Sequence, residues 1–229
     1  AGLFAGKILS LLVAVIIAIL ISDLTFVTPK PHHFERIYEF AKYTWADQVK
    51  GRSFAWIDVF ILGIFVESTL IGIYQVSWTF ASTLILVGLS IQFTLLPEMS
   101  YLGVEKDWEE VHHLLTEALV FVGVFAIPGL FGAAIIGADL LTIYRPVFAQ
   151  GYEVLLLLIV ARAVDAYARQ LLNTLAAIDF PKYRFRANIV FVVVNTALNL
   201  VLIWKFGWLG AAIATAFSAG IELILGYYY

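Results

Sequence analysis

Apolar residues run along this chain in long continuous stretches, broken by shorter polar segments. A helix crossing the hydrocarbon core of a bilayer needs about 20 mostly apolar residues, because every backbone amide and carbonyl must be satisfied within the segment. Leu3–Ile21, Ile73–Leu96, Leu114–Ile136, Val154–Ile178, Ala187–Phe206 and Leu209–Tyr227 meet that requirement. One further span must lie between the first two. Phe54–Val66 is too short alone, so this helix is expected to reach back to Trp45, taking in Asp47, Lys50, Arg52 and Asp58. About seven spans result, the second notably polar. A membrane β-barrel would alternate apolar and polar residues over strands of about ten residues, and no such alternation occurs. The expected fold class is an all-α, polytopic transmembrane helical bundle.

Composition narrows the functional classes. Of 229 residues, 62% are hydrophobic and 14% charged, with a mean hydropathy of +0.93, against about 25% charged in soluble domains. A net charge of −3 gives no reason to expect a nucleic-acid partner. Without cysteine, disulfide frameworks, zinc ribbons and cysteine nucleophiles are excluded. No G-x-S-x-G, P-loop or G-x-G-x-x-G occurs, so neither enzymatic chemistry nor a cofactor is expected. His32-His33 and His112-His113 are adjacent pairs in expected loops, not a metal-binding pair one helical turn apart.

Lys and Arg set the orientation of such a chain. Nine of them (Lys30, Arg36, Lys42, Lys50, Arg52, Lys106, Lys182, Arg184 and Arg186) fall in alternate connections, against three (Lys7, Arg145 and Lys205) on the other side. This predicts that Pro29–Tyr43, Pro97–His113 and Asp179–Arg186 are cytoplasmic and residue 1 is extracytoplasmic. The outer connections, Glu67–Gly72, Gly137–Glu153 and Gly207-Trp208, are short. Ser22–Tyr43 is the longest polar stretch, broken by Pro29 and Pro31 before a short amphipathic helix around Phe34–Tyr43. It is the natural boundary between two bundles. The chain has no initiator Met and ends at Tyr227-Tyr228-Tyr229 without a polar tail, which reads as a stretch of a longer transporter.

Ionisable residues inside a span cost roughly 2.5–3.5 kcal/mol each on insertion scales and need a partner or water. In the fifth span Arg162, Asp165, Arg169 and Asn173 fall on one stripe at i, i+3, i+7 and i+11. Asp165 can pair with both arginines, one on either side. Two cations for one anion leave positive charge over, so the stripe is expected to wall a hydrated, cationic pathway; the alternative is an internal salt-bridged stripe that fixes packing. Asp58 is expected at a cavity, where it could take up a coupling proton or ion. Asn188, Asn195 and Asn199 form a stripe in the sixth span, suited to bonding between helices or to contact with substrate hydroxyls. Gly210, Ala214 and Ser218 make a small-residue seam in the seventh, and Glu222 continues that face.

Three stretches carry a resemblance: WIDVFILGIFVESTLIGIY (Trp56–Tyr74), LLTIYRPVFAQGYEVL (Leu140–Leu155), and Asn188–Ser218 with its NxxLNLVLI and GWLGAAIATAFS runs. In their order and spacing they resemble the second half of a polysaccharide or lipid-linked-oligosaccharide flippase of the multidrug/oligosaccharidyl-lipid/polysaccharide exporter superfamily. Asp58, Gly72 and Tyr74 match that family's hairpin. The resemblance implies two six-helix bundles around a central cavity that opens alternately to each side. Residues 1–21 would be the last helix of the first bundle, 22–44 the cytoplasmic inter-bundle linker, and 45–229 the second bundle, with the missing N-terminal bundle as partner. The implied cargo is a polyprenyl- or dolichyl-linked sugar, flipped across the plasma membrane among its lipids for cell-surface polysaccharide or glycan biosynthesis. Arg162, Asp165, Arg169, Asn173, Asp58, Asn195 and Asn199 would line its route. A drug or cation exporter of the same superfamily would instead want an acid-rich cavity, and a membrane-embedded glycan polymerase or ligase a long outer loop.

Overall fold

A computed structural model describes residues 30–229 together with Gly6, Leu9, Ser10, Val13, Ala14 and Ile17, which are helical. The remainder of the expected span Leu3–Ile21 and the linker residues 22–29 lie outside the described residues, as do the side chains of Asp47 and Arg52. The chain divides into two compact units, residues 1–40 and 41–229. All the packing below belongs to the second.

The described helices are α1 (Pro31–Phe65), α2 (Ser68–Glu105), α3 (Trp108–Thr142), α4 (Tyr152–Ala177), α5 (Pro181–Phe206) and α6 (Trp208–Tyr228), with a 3-10 turn at Pro146–Gly151 before α4. α2 to α6, with that turn leading into α4, are long and apolar enough to cross a membrane. The all-α bundle is therefore as expected, but the connections are far shorter than hydropathy predicts. Pro97–His113, expected as a loop, is helical to Glu105 and again from Trp108, turning only at Lys106-Asp107. His112-His113 therefore lie on α3. The expected break before Trp45 is also absent: α1 is one continuous helix of 35 residues starting at Pro31, so His32-His33 are helical too. A proline in the first turn lacks an N–H that would be unpaired anyway, and Pro31 and Pro181 both start helices.

The turns have local causes. Lys106 closes α2 in the left-handed conformation at φ 61°. Asp107 caps α3 by accepting from the Glu110 N–H at 3.2 Å, and Glu109 and Glu110 in the first turn suit the positive end of the helix dipole. Gly207, at φ 58°, makes the single-residue reversal into α6. Beside it Gly210 packs so closely that an added Cβ would meet the Leu202 carbonyl oxygen at 2.1 Å. At Gly210, the first residue of the small-residue seam, the two backbones therefore approach closely.

α4 is central, packing against α2, α3, α5 and α6. Its apolar half joins Leu62, Tyr74, Ala81, Leu141 and Ile203 in the core through Val154, Leu155 and Leu158. Large apolar side chains such as Phe93, Ile135, Trp204 and Ile224 point outward, the expected arrangement where lipid is the solvent. A polar helix face, carrying the buried Arg162, Asp165 and Asn173, is thus presented by the innermost helix.

Candidate functional site

At about 1.5 Å per residue, Asp165 lies about 20 Å along α4 from its start, Glu222 about 21 Å along α6, and Lys50 about 22 Å back from the end of α1. The antiparallel order of these helices brings the three to one level. Lys50 forms ion pairs with Asp165 at 3.4 Å and with Glu222, and its ammonium stands 5.0 Å from the Phe191 ring centroid on α5. One lysine thus ties α1 to three other helices.

Asp165 is fully buried. It takes Arg169 Nε at 2.9 Å and Arg162 Nη1 at 3.4 Å on its Oδ2, with Lys50 on Oδ1. The pairing to both arginines is the one the helical spacing predicts. Arg162 donates to Ser82 Oγ at 3.0 Å and stacks its guanidinium 4.0 Å from the Trp78 ring. Such a cation–π contact holds the guanidinium's plane as well as its charge. The Arg162 side chain is nearly buried, whereas Arg169 keeps 30% of its side-chain surface. Arg169 is the open end of the stripe.

A second cluster lies nearer the α1–α2 and α5–α6 turns. Asp58, Asn199 and Thr215 each stand seven residues from one of those turns, about 10 Å in depth. Asp58 accepts from Tyr74 Oη at 2.6 Å, Asn199 Nδ2 at 2.6 Å and Thr215 Oγ1 at 2.9 Å. Asn199 also donates to Asn195 at 3.1 Å, and its own Oδ1 has no partner among the described residues. Four helices meet at one carboxylate, which is how a buried charge is tolerated at this depth.

The seven residues singled out in the sequence are therefore all inside the bundle, six of them in two groups. Arg162, Asp165 and Arg169 form one with Lys50; Asp58, Asn195 and Asn199 form the other. Asn173 belongs to neither ion cluster. It lines a small polar cavity of about 30 Å³ with Lys50, Arg169, Arg184, Asn188 and Glu222, room for about two waters. Sequence reasoning did not single out Lys50, placed in the second span and counted among the basic residues of a connection, or Glu222, taken for the end of a packing seam. It also passed over Trp78 and Ser82. With Tyr74, these two stand at i, i+4 and i+8 on α2, a polar and aromatic stripe that helical periodicity could have exposed.

Comparison with known proteins follows the same lines. The profile of a family described as polysaccharide biosynthesis protein matches residues 2–150. A probable flippase, AglR of Haloferax volcanii, is 36% identical over 227 residues, covering 98% of this chain and 48% of its own length. A probable low-salt glycan biosynthesis flippase, Agl15 of the same organism, is 25% identical over 194 residues, covering 84% of this chain and 41% of its own. The chain thus spans about half the length of the curated relatives it matches. No solved structure matches. The apolar helices and these relatives together make the chain a multi-pass membrane protein.

Proposed function

The chain belongs to the polysaccharide biosynthesis protein family, and from that premise we propose that it forms one bundle of a two-bundle transporter that flips a polyprenyl- or dolichyl-linked sugar across the plasma membrane. The cargo is a phosphate or diphosphate carrying a sugar or oligosaccharide, destined for cell-surface polysaccharide or glycan biosynthesis. Its headgroup is anionic and rich in hydroxyls, so crossing requires a polar, positively charged surface at mid-bilayer depth.

The observation that carries this reading is the excess of cations at the centre of the bundle. Lys50, Arg162 and Arg169 surround Asp165, with Glu222 as the second anion. Arg169 is the accessible member and meets a phosphate oxygen first, offering a planar fork of donors. Arg162, held by Trp78 and Ser82, supports it from behind, and Asn173, Asn195 and Asn199 answer to sugar hydroxyls as the bundles rock. The lipid tail stays in the bilayer, and no bond is made or broken. Alternate exposure follows from the rocking of this bundle against its N-terminal partner, with residue 1 outside and residues 22–44 in the cytoplasm. Asp58 or Asp165 takes the coupling ion.

A second reading, in which the stripe only locks helices together, is favoured by the full burial of Asp165. Replacing Arg169 by Gln and by Lys in the intact protein separates the two. Glycan export lost in Arg169→Gln, and partly restored in Arg169→Lys at equal protein level and thermal stability, supports the transport role. Unchanged export in both variants removes Arg169 from the pathway.

A further inference from the structure

Among the described residues three carboxylates, Asp58, Asp165 and Glu222, are buried in the bundle, and their surroundings differ. Asp165 faces three cations, and Asp58 accepts three hydrogen bonds. Glu222 is the least satisfied: it is fully buried, its Oε1 accepts from Lys50, and its Oε2 has no hydrogen-bond partner among the described residues. Leaving a buried carboxylate oxygen without a donor is costly, and native structures seldom keep one without a reason.

Glu222 also lines the 30 Å³ polar cavity, which extends toward the α4–α5 turn past Asn173, Asn188 and the half-buried Arg184. A polar cavity of that size is large enough for water, which would stand as a proton donor beside Glu222. Among the described residues, the charged groups around it are Lys50 from α1, Asp165 and Arg169 from α4, and Arg184 from α5, and none of the charged residues lining the cavity comes from α2.

We propose that Glu222 is a proton-binding site, with Lys50 as the ammonium partner that the proton displaces. When Glu222 is ionised, its pairing with Lys50 ties α6 to α1. A proton from the cavity water adds to the unpaired Oε2, the carboxylate becomes a neutral acid, and Lys50 keeps its charge against Asp165 alone. Charge balances: one proton enters, one negative charge is cancelled, and no other group changes state. The mechanical result is release of α6 from α1, while Lys50 stays anchored to α4. The proposal goes beyond the transport reading and does not depend on it, because its readout is proton uptake by the protein rather than movement of cargo.

The test is pH-difference infrared spectroscopy of the intact protein in bilayers, following the carbonyl stretch of protonated carboxylic acids. One titrating band is expected to vanish in Glu222→Gln and to persist in Asp58→Asn. Lys50→Met removes the cation that favours ionised Glu222, so the midpoint of the same band moves to higher pH, by about one unit or more, a tenfold gain in proton affinity. Glu222→Asp keeps a titrating band at a changed frequency and serves if Glu222→Gln fails to fold. An unchanged set of bands in Glu222→Gln, no frequency change in Glu222→Asp, or a midpoint in Lys50→Met that stays or falls overturns the proposal. If the bands behave as stated while glycan export proves independent of Arg169, the proton site stands and only the transport reading falls.

Discussion

Asp165→Asn puts the electrostatic account of the bundle to a quantitative test. Three cations converge on this carboxylate within 2.9–3.4 Å, and it is fully buried. Removing one partner from a buried ion pair costs about 3–5 kcal/mol, because the remaining charge stays in a poor solvent. The lower end applies here, since each cation keeps some other support. Lys50 retains Glu222, Arg162 retains Ser82 and the Trp78 face, and the Arg169 side chain is 30% exposed. The expected loss is therefore about 3 kcal/mol, a drop in Tm on the order of a few degrees for the intact protein, since the shift per kcal/mol falls with chain length. Heating the detergent-solubilised intact protein and following its monodisperse fraction reads the shift, with exposed Asp139→Asn on α3 as the neutral comparison. Adding Arg162→Gln to Asp165→Asn should recover at least about 1 kcal/mol, as a coupled pair requires. A single-variant loss below about 1 kcal/mol, or no recovery in the double variant, refutes the reasoning.

Asp58→Asn should cost only about 1–3 kcal/mol, since the Asn199 amide can flip to offer its unpaired Oδ1 to the new NH₂ group. Asp58→Leu, which strands Tyr74, Asn199 and Thr215 together, should cost clearly more; equal stability of the two variants in the same melt would contradict the three-donor geometry. Gly210→Ala should lower stability by about 2 kcal/mol or more, because the new methyl meets a backbone carbonyl that cannot yield cheaply. Gly220→Ala, with nothing within 4 Å, should be neutral or stabilising by about 0.5–1 kcal/mol. The reverse order in a thermal melt would place the close approach elsewhere. Trp78→Leu should weaken the hold on Arg162 by about 0.5–2 kcal/mol, checked by a Trp78/Arg162 double-mutant cycle in which a coupling near zero contradicts the stacking.

The sequence was most informative where a relation lies within one helix. The Arg162–Asp165–Arg169 pairing follows from a 3.6-residue period and is found, and the asparagine stripe expected to bond between helices does so where Asn199 donates to Asp58. The partners in contacts between helices were not legible. Lys50 and Glu222 stand 172 residues apart, and only the length and order of the intervening helices bring them to one depth. Helix ends were misread for a related reason. Hydropathy marks the part of a helix that suits lipid, not where the helix stops, and the Glu, Lys and Leu residues beyond the apolar runs are good helix formers. Hence Pro97–His113 is nearly all helix. Pro31 was taken for a breaker although the first turn is where proline is welcome. The polar stripe of α2 was hidden because Tyr74 and Trp78 are counted among the hydrophobic residues, although each has a polar or π-face role here.

The central claim is that the spare positive charge on α4 engages an anionic lipid headgroup. The direct measurement is binding of a labelled polyprenyl diphosphate, compared with the uncharged polyprenol, to the intact protein in nanodiscs, for wild type and Arg169→Gln. Wild type is expected to prefer the diphosphate by at least about tenfold, roughly 1.4 kcal/mol, and most of this preference to disappear in Arg169→Gln while polyprenol binding is unchanged. Equal binding of the two lipids by wild type, or a preference that survives loss of the guanidinium, would contradict it.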